Sequence, residues 1–244
     1  MEYAGDSKVG LVRSINQDSI LLVNQGEISL FAVADGMGGH ADGEKASRAI
    51  TLALQNWIDH LVLEYYEDNF LKLVDSIRNC MEEVNLAIYK EYENQSVCGS
   101  TVSILLIYKD SYAIFQVGDS RIYKFEKRHL KQMTVDEVWE NDIRTRRKFT
   151  EVEIDNSSKK GKLINALGTT PDLMMTIQTD HLSKKQIFLI CSDGLYKMVS
   201  DKELTMSLKK VSRGANIQLV LDELMTKVHK AGARDNVSII LAKV

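Results

Sequence analysis

Proline occurs once in these 244 residues, at Pro171, and cysteine three times. Scarce proline leaves long stretches free to run as unbroken helix or central strand, since each proline removes a backbone donor. Cys80, Cys98 and Cys191 are widely spaced, odd in number and never arranged as CxxC. That argues against a disulfide framework or a zinc–thiolate site, and reads as reduced core thiols in a cytosolic protein. Charge of one sign is lacking too: 31 Lys and Arg against 34 Asp and Glu give −3. A general nucleic-acid binder needs a clear basic excess, so nucleic acid is not an expected partner. No apolar run nears the roughly 20 residues that span a bilayer. Residues 1–10 lack the basic-then-apolar order of a secretion signal. The expectation is a cytoplasmic globular protein without membrane contact, 44% hydrophobic and long enough for a sizeable core.

What is present centres on Phe31-Ala32-Val33-Ala34-Asp35-Gly36-Met37-Gly38-Gly39-His40. An apolar run suited to a buried strand ends in a carboxylate, and the glycines after it let the backbone come close to whatever that carboxylate holds. Around it, residues 19–23 and 28–34 read as a hairpin turning at Asn24-Gln25-Gly26-Glu27. Helical periodicity covers 41–60 and 66–93. The period then changes. Apolar runs at 100–108, 112–117, 121–125 and 129–133 are joined by turns so short that only antiparallel neighbours fit, which predicts one meander. Residues 134–162 are too charged and too poor in apolar side chains for a core of their own. They read as a surface insertion with a short helix, its cluster Arg144, Arg146, Arg147 and Lys148 a solvated face. Strands are expected at 173–179, 186–191 and 237–244, and helices at 201–210 and 217–229.

Four places share one pattern: Asp35-Gly36, Asp119-Ser120, Asp193-Gly194 and Asp235-Asn236 each set an aspartate beside a small or turn-forming residue at the margin of an apolar strand. Aspartate is common in turns, and one such place means little. Four at corresponding places suggest one carboxylate cluster at one edge of a sheet core. Carboxylates a few Å apart repel and raise one another's pKa, so cations must accompany them. Oxygen ligands without thiolate or clustered imidazole select ions such as Mg²⁺ or Mn²⁺. Two such ions can activate a water and neutralise an attacked phosphoryl group. Unrelated turn aspartates remain the alternative on spacing alone.

The sequence resembles the PP2C-type metal-dependent protein phosphatases, in their compact bacterial branch. The matching pieces, in the family's order, are Arg13-Ser14-Ile15-Asn16-Gln17-Asp18, Asp35 to His40, Gly99-Ser100-Thr101, Val117-Gly118-Asp119-Ser120-Arg121, Ala166-Leu167-Gly168, Ser192-Asp193-Gly194-Leu195 and Asp235-Asn236-Val237-Ser238. The resemblance implies an α+β fold, a four-layer α-β-β-α sandwich of two antiparallel sheets flanked by helix pairs. It also implies a single catalytic domain over 1–244, with a variable flap at about 134–162. Asp35 is implied to bridge two Mn²⁺ or Mg²⁺ ions, and the Gly36 carbonyl to bind one of them. Asp193 and Asp235 complete the other ion's shell, and Asp18 acts through metal-bound water. Asp119 with Asp193 forms a third metal site, and Arg13 clamps the substrate phosphate. Asn236 supports the site rather than ligating.

The implied reaction is direct hydrolysis of phosphoserine or phosphothreonine by a hydroxide bridging two metals, without a phosphoenzyme. Implied partners are phosphorylated proteins, among them serine/threonine kinases and their substrates, met by a monomer. Met37 stands where eukaryotic members carry a histidine general acid, which leaves His40 as the candidate proton donor. Bacterial members carry Asp-His-Ser and Arg-Ala-Leu-Gly around the flap; this chain has Asp136-Glu137-Val138 and Asn165-Ala166-Leu167-Gly168. A regulatory phosphatase dedicated to one phosphoprotein is the alternative within the fold. A non-catalytic binding module is the alternative outside it, although no matched aspartate is lost.

Overall fold

The computed structural model describes residues 1–38, 42–66, 69–93 and 97–244. In chain order its strands are β1 (Glu2–Lys8), β2 (Asp18–Gln25), β3 (Ile28–Gly38), β4 (Cys98–Ser100), β5 (Val102–Tyr108) and β6 (Ser111–Val117). There follow β7 (Arg121–Glu126), β8 (His129–Gln132), β9 (Thr176–His181), β10 (Ile187–Cys191) and β11 (Val237–Lys243). The helices are α1 (Asp42–Asp59), α2 (Phe70–Tyr92), α3 (Ile143–Lys148), α4 (Glu151–Asp155), α5 (Asp193–Tyr196), α6 (Asp201–Ser212) and α7 (Ile217–Lys230).

Two antiparallel sheets result. One runs β1-β11-β10-β7-β8; the other runs β2-β3-β5-β6-β9, with β4 on the far end of β3. Side chains alternate across a strand, so each strand here serves two cores. Phe31 and Val33 of β3 meet Leu105, Ile114, Ile122, Phe188 and Ile240 between the sheets. Leu30, Ala32 and Ala34 of the same strand pack with Ile50, Leu54, Leu73 and Ile77 of α1 and α2. On the opposite outer face Leu189, Cys191 and Leu241 meet Leu204, Leu208, Leu221 and Leu224 of α6 and α7. The four-layer α-β-β-α order implied by the resemblance is therefore the one the chain adopts.

The single meander is not. β6 pairs with β5 and β9, whereas β7 pairs with β10 and β8, so the turn at 118–120 carries the chain from one sheet into the other. A short connection fixes the direction of the next strand but not its pairing partner. Gly118 makes the crossing possible: its φ is +90°, and an added Cβ would lie 2.6 Å from Thr101 Cγ2.

Other differences are local. β1 has little apolar signal because it is an edge strand whose ladder runs to β11 alone, with Ala4 its buried position. The 100–108 run divides at Thr101, whose backbone turns to Asp35 instead of continuing the ladder. The strand expected at 173–179 lies at 176–181. The insertion holds two short helices and a 3₁₀ turn, where one helix was expected. Among the described residues no helix is long and apolar enough to cross a membrane. Cys80, Cys98 and Cys191 are free thiols, the last two buried.

Candidate metal centre

Asp18 opens β2 and Asp35 lies towards the end of β3, and the antiparallel register sets the two opposite each other. Opposed residues have Cβ atoms about 4.5–5.5 Å apart, and like charges there destabilise the sheet. Asp35 is fixed through its backbone. Its N–H donates to Thr101 Oγ1 at 3.2 Å, and its carbonyl accepts from Thr101 N at 2.9 Å and Ser100 Oγ at 3.0 Å. Thr101 Oγ1 is also 2.7 Å from Ser120 Oγ, which ties the strand to the turn that carries Asp119. Gly36 N donates to Gln17 O at 3.0 Å, and a Cβ on Gly36 would run into the Gly43 carbonyl at the start of α1. Glycine is required there by this close approach.

The remaining acids converge from the other sheet. Asp193 begins α5 directly after β10, and Asp235 precedes β11. Asp18 Oδ2 accepts from Ser192 Oγ and Ser238 Oγ, each at 2.7 Å, so the ends of β10 and β11 are bound to β2 across the sandwich. Asp18 Oδ1 is buried with no hydrogen-bond partner. Asp119 Oδ2 accepts from Tyr196 Oη at 3.2 Å.

These acids share one electrostatic neighbourhood. Burial, followed by the charges of Asp18, Asp193, Asp119 and Asp235, pushes the Asp35 carboxyl well above the ordinary carboxylate range. Asp18 rises to about 6, chiefly through burial, with its two serine hydrogen bonds opposing and Asp193 and Asp235 adding. Asp119 also rises to about 6, through burial and Asp193, with Lys197 and Tyr196 opposing. Among the described residues no three acidic, imidazole or thiolate groups already form a closed metal cage. Protein cations occupy the acids instead. Arg13 grips Asp235 in a two-pronged contact, Nε to Oδ1 and Nη2 to Oδ2 at 2.8 Å each, and Lys197 Nζ pairs with Asp193 Oδ2.

The site suits a hard divalent cation. Among the described residues its acidic side chains offer carboxylate oxygens, one of them a buried orphan on Asp18, and their mutual repulsion is what a cation would relieve. A profile of the protein phosphatase 2C family matches residues 11–237. The chain belongs to that family.

Its relatives include the serine/threonine protein phosphatase PstP of Mycobacterium tuberculosis, 29% identical over 248 residues. That alignment takes in all of this chain but 45% of PstP, so the chain spans about half of that relative. The serine/threonine phosphatase stp of Listeria welshimeri is 28% identical over 239 residues, covering 96% of this chain and 92% of stp. A solved structure of the PstP catalytic domain in complex with two manganese ions superposes with a TM-score of 0.77 at 28% identity, covering 99% of this chain and 97% of that one.

Within this phosphatase 2C fold, the two departures around the flap are partners. Glu137 Oε2 accepts from Gly118 N at 2.7 Å and from Asn165 Nδ2 at 2.7 Å. The residues standing in place of the usual histidine and arginine thus bolt the flap base to the turn that carries Asp119. Arg121 adds a second bolt. Its Nε and Nη2 reach Asp136 at 2.9 and 2.6 Å, and its guanidinium lies 3.5 Å from the centre of the Tyr196 ring. In the flap itself Arg144 pairs with Asp142 and Arg146 with Glu151, as a solvated charged face would.

Of the residues singled out from sequence, Asp18, Asp35, Gly36, Asp119, Asp193, Asp235 and Arg13 come to this one end of the sandwich. His40 lies outside the described residues. Lys197 and Tyr196 were not anticipated, although Lys197 falls four residues after Asp193, the spacing of a helical ion pair. Asn236 is tied to the loop before Asp18. Its Oδ1 accepts from Gln17 N at 2.8 Å, and its Nδ2 donates to Val9 O and Ile15 O at 2.9 Å each. One buried amide therefore shapes the loop that carries Arg13 and delivers Asp18. Asn236→Ala is expected to cost about 1–3 kcal/mol in urea melts, by removing three hydrogen bonds to the backbone of residues 9–17, and to raise KM more than it lowers kcat.

Proposed function

We infer that the chain hydrolyses phosphoserine and phosphothreonine in proteins, with two Mn²⁺ or Mg²⁺ ions held by its aspartates. The observation that carries this reading is the opposition of Asp18 and Asp35, with a buried, unpartnered oxygen left on Asp18. In this assignment the Asp35 carboxylate and the Gly36 carbonyl would help to hold the ions. Asp193 and Asp235 would hold them from the other sheet, with Asp18 as a further acidic group beside them. When bound, the two ions supply an activated water and offset the charge of the phosphoryl group. Arg13 turns from Asp235 to the phosphate: both are oxyanions that accept a guanidinium fork, and its side chain is half exposed on a surface loop. His40 is kept as the candidate proton donor to the leaving serine or threonine oxygen.

The reading extends to 1–244 as one catalytic unit with 134–162 as its flap, acting as a monomer in the cytosol and opposing serine/threonine kinases. Three free thiols support a reducing compartment. The test is hydrolysis of a phosphothreonine peptide by chelator-treated protein with and without added Mn²⁺. Turnover restored by Mn²⁺ supports the assignment, and none at any metal concentration refutes it. Arg13→Ala should raise KM for the peptide about tenfold or more, with a smaller loss in kcat if the guanidinium chiefly binds phosphate.

A further inference from the structure

The side of the acidic cluster formed by Asp119 and Asp193 differs chemically from the side formed by Asp18, Asp35 and Asp235. Lys197 Nζ pairs with Asp193 Oδ2, while the Lys197 backbone N–H donates to the Asp193 carbonyl at 3.0 Å. One helical turn therefore holds the ammonium over that carboxylate, and the stem has no need to search for it. The same ammonium acts on Asp119 and Asp35. Asp119 takes its own hydrogen bond from Tyr196 Oη at 3.2 Å. Tyr196 is in turn covered by the Arg121 guanidinium, 3.5 Å from the ring centre, and Arg121 is clamped by Asp136 at 2.6 Å. Neighbouring residues of α5 and its end thus supply a donor to Asp119 and a cation to Asp193. Asp18, by contrast, keeps a buried oxygen with no partner.

We propose that Lys197 is a built-in counter-cation that takes the place of a third metal between Asp119 and Asp193, so that the centre holds two divalent ions and not three. Charge supports the count. With Arg13 turned from Asp235 to the substrate, two divalent ions and one ammonium balance the carboxylates of Asp18, Asp35, Asp119, Asp193 and Asp235, whereas a third divalent ion beside Lys197 leaves the pocket with surplus positive charge in a region of low dielectric. Lys197 is a positioning residue in this scheme. It holds Asp193 towards the shared centre, and Asp119 becomes a hydrogen-bond acceptor for Tyr196 rather than a ligand. The third metal site implied for Asp119 is replaced in this chain by protein groups.

The proposal rests on the two-metal reading above, and the experiment separates them. Mn²⁺ bound per chain is counted by native mass spectrometry and by titration calorimetry on the full chain at saturating metal. Two ions are expected for the wild type, three for Lys197→Met, and two again for Lys197→Met combined with Asp119→Asn. Lys197→Arg, which keeps the cation, should remain at two. Three ions in the wild type overturn the role of Lys197 and leave the phosphatase assignment standing, as does a count of two in a folded Lys197→Met. A wild type that binds no Mn²⁺ overturns both. Should Lys197→Met fail to fold, the wild-type count decides the matter alone.

Discussion

Asp35→Asn is expected to lower kcat/KM on a phosphothreonine peptide by about a thousandfold or more, and at the same time to raise the melting temperature of the metal-free protein. The two effects have one cause. Asp35 is half-buried among Asp18, Asp193, Asp119 and Asp235, whose charges together with its own desolvation push its carboxyl far above the usual range. Asparagine keeps the side-chain volume and removes the charge. The sheet register, the hydrogen bonds of the Asp35 backbone to Thr101 and Ser100, and the contact between Gly36 and α1 are untouched. What the substitution removes is repulsion in the metal-free state and the shared ligand in the loaded state. For a chain of this size each kcal/mol of repulsion relieved is worth roughly 2–4 °C in thermal melts. Because stability and activity move in opposite directions, an inactive variant cannot be dismissed as unfolded. Undiminished turnover by Asp35→Asn would sink the assignment of Asp35 to the centre of the reaction.

The aspartates were legible because each ends or borders an apolar run, and such a run fixes where a strand stops. Most of their partners were not, since all but Lys197 are distant in the sequence. Ser192 and Ser238 reach Asp18 from the opposite sheet, and Asn236 gathers the backbone of residues 9–17 from the far end of the sequence. No period or spacing encodes such a meeting. The sandwich was hidden for a related reason. In β5 and β10 every residue is buried, half facing helices and half facing the other sheet, so the alternation that marks a strand with one wet face is missing. The crossing between sheets at 118–120 escaped because a tight turn looks the same whether the strands it joins pair or part. The clearest signal left unused was Lys197, whose distance from Asp193 is the ordinary helical ion-pair spacing but lay beyond the end of the recognised Ser-Asp-Gly-Leu stretch.

The second large effect concerns pH in the absence of metal. Chelator-treated protein should lose stability as pH rises from about 4 to about 7, the reverse of the trend set by salt-bridged surface carboxylates. An aspartate in the unfolded chain titrates near 3.9, whereas burial raises Asp18 and Asp119 in the folded chain to about 6 and pushes Asp35 well above the ordinary carboxylate range. Well below pH 4 Asp18, Asp35 and Asp119 are protonated in both states, and they contribute no penalty. Between pH 4 and 6 the folded state retains protons that the unfolded state has released, and it is progressively disfavoured; above the folded pKa values the penalty is complete. For Asp18 alone, a displacement of about two pH units corresponds to about 3 kcal/mol. Surface acids such as Asp142 and Glu203, held below the usual range by Arg144 and Ser200, act in the opposite sense. The cluster is therefore isolated by comparing urea midpoints of the wild type with those of Asp18→Asn across the same pH series, where the variant should lack the share of the decline that Asp18 contributes. Added Mn²⁺ should cancel the decline in the wild type, because the ions bind the ionised carboxylates and so favour the folded state most where the protons have left. A chelated wild type as stable at pH 7 as at pH 5, with no difference from Asp18→Asn, would mean that these carboxylates are not forced together in the folded protein, and the cluster would lose its reason to bind metal.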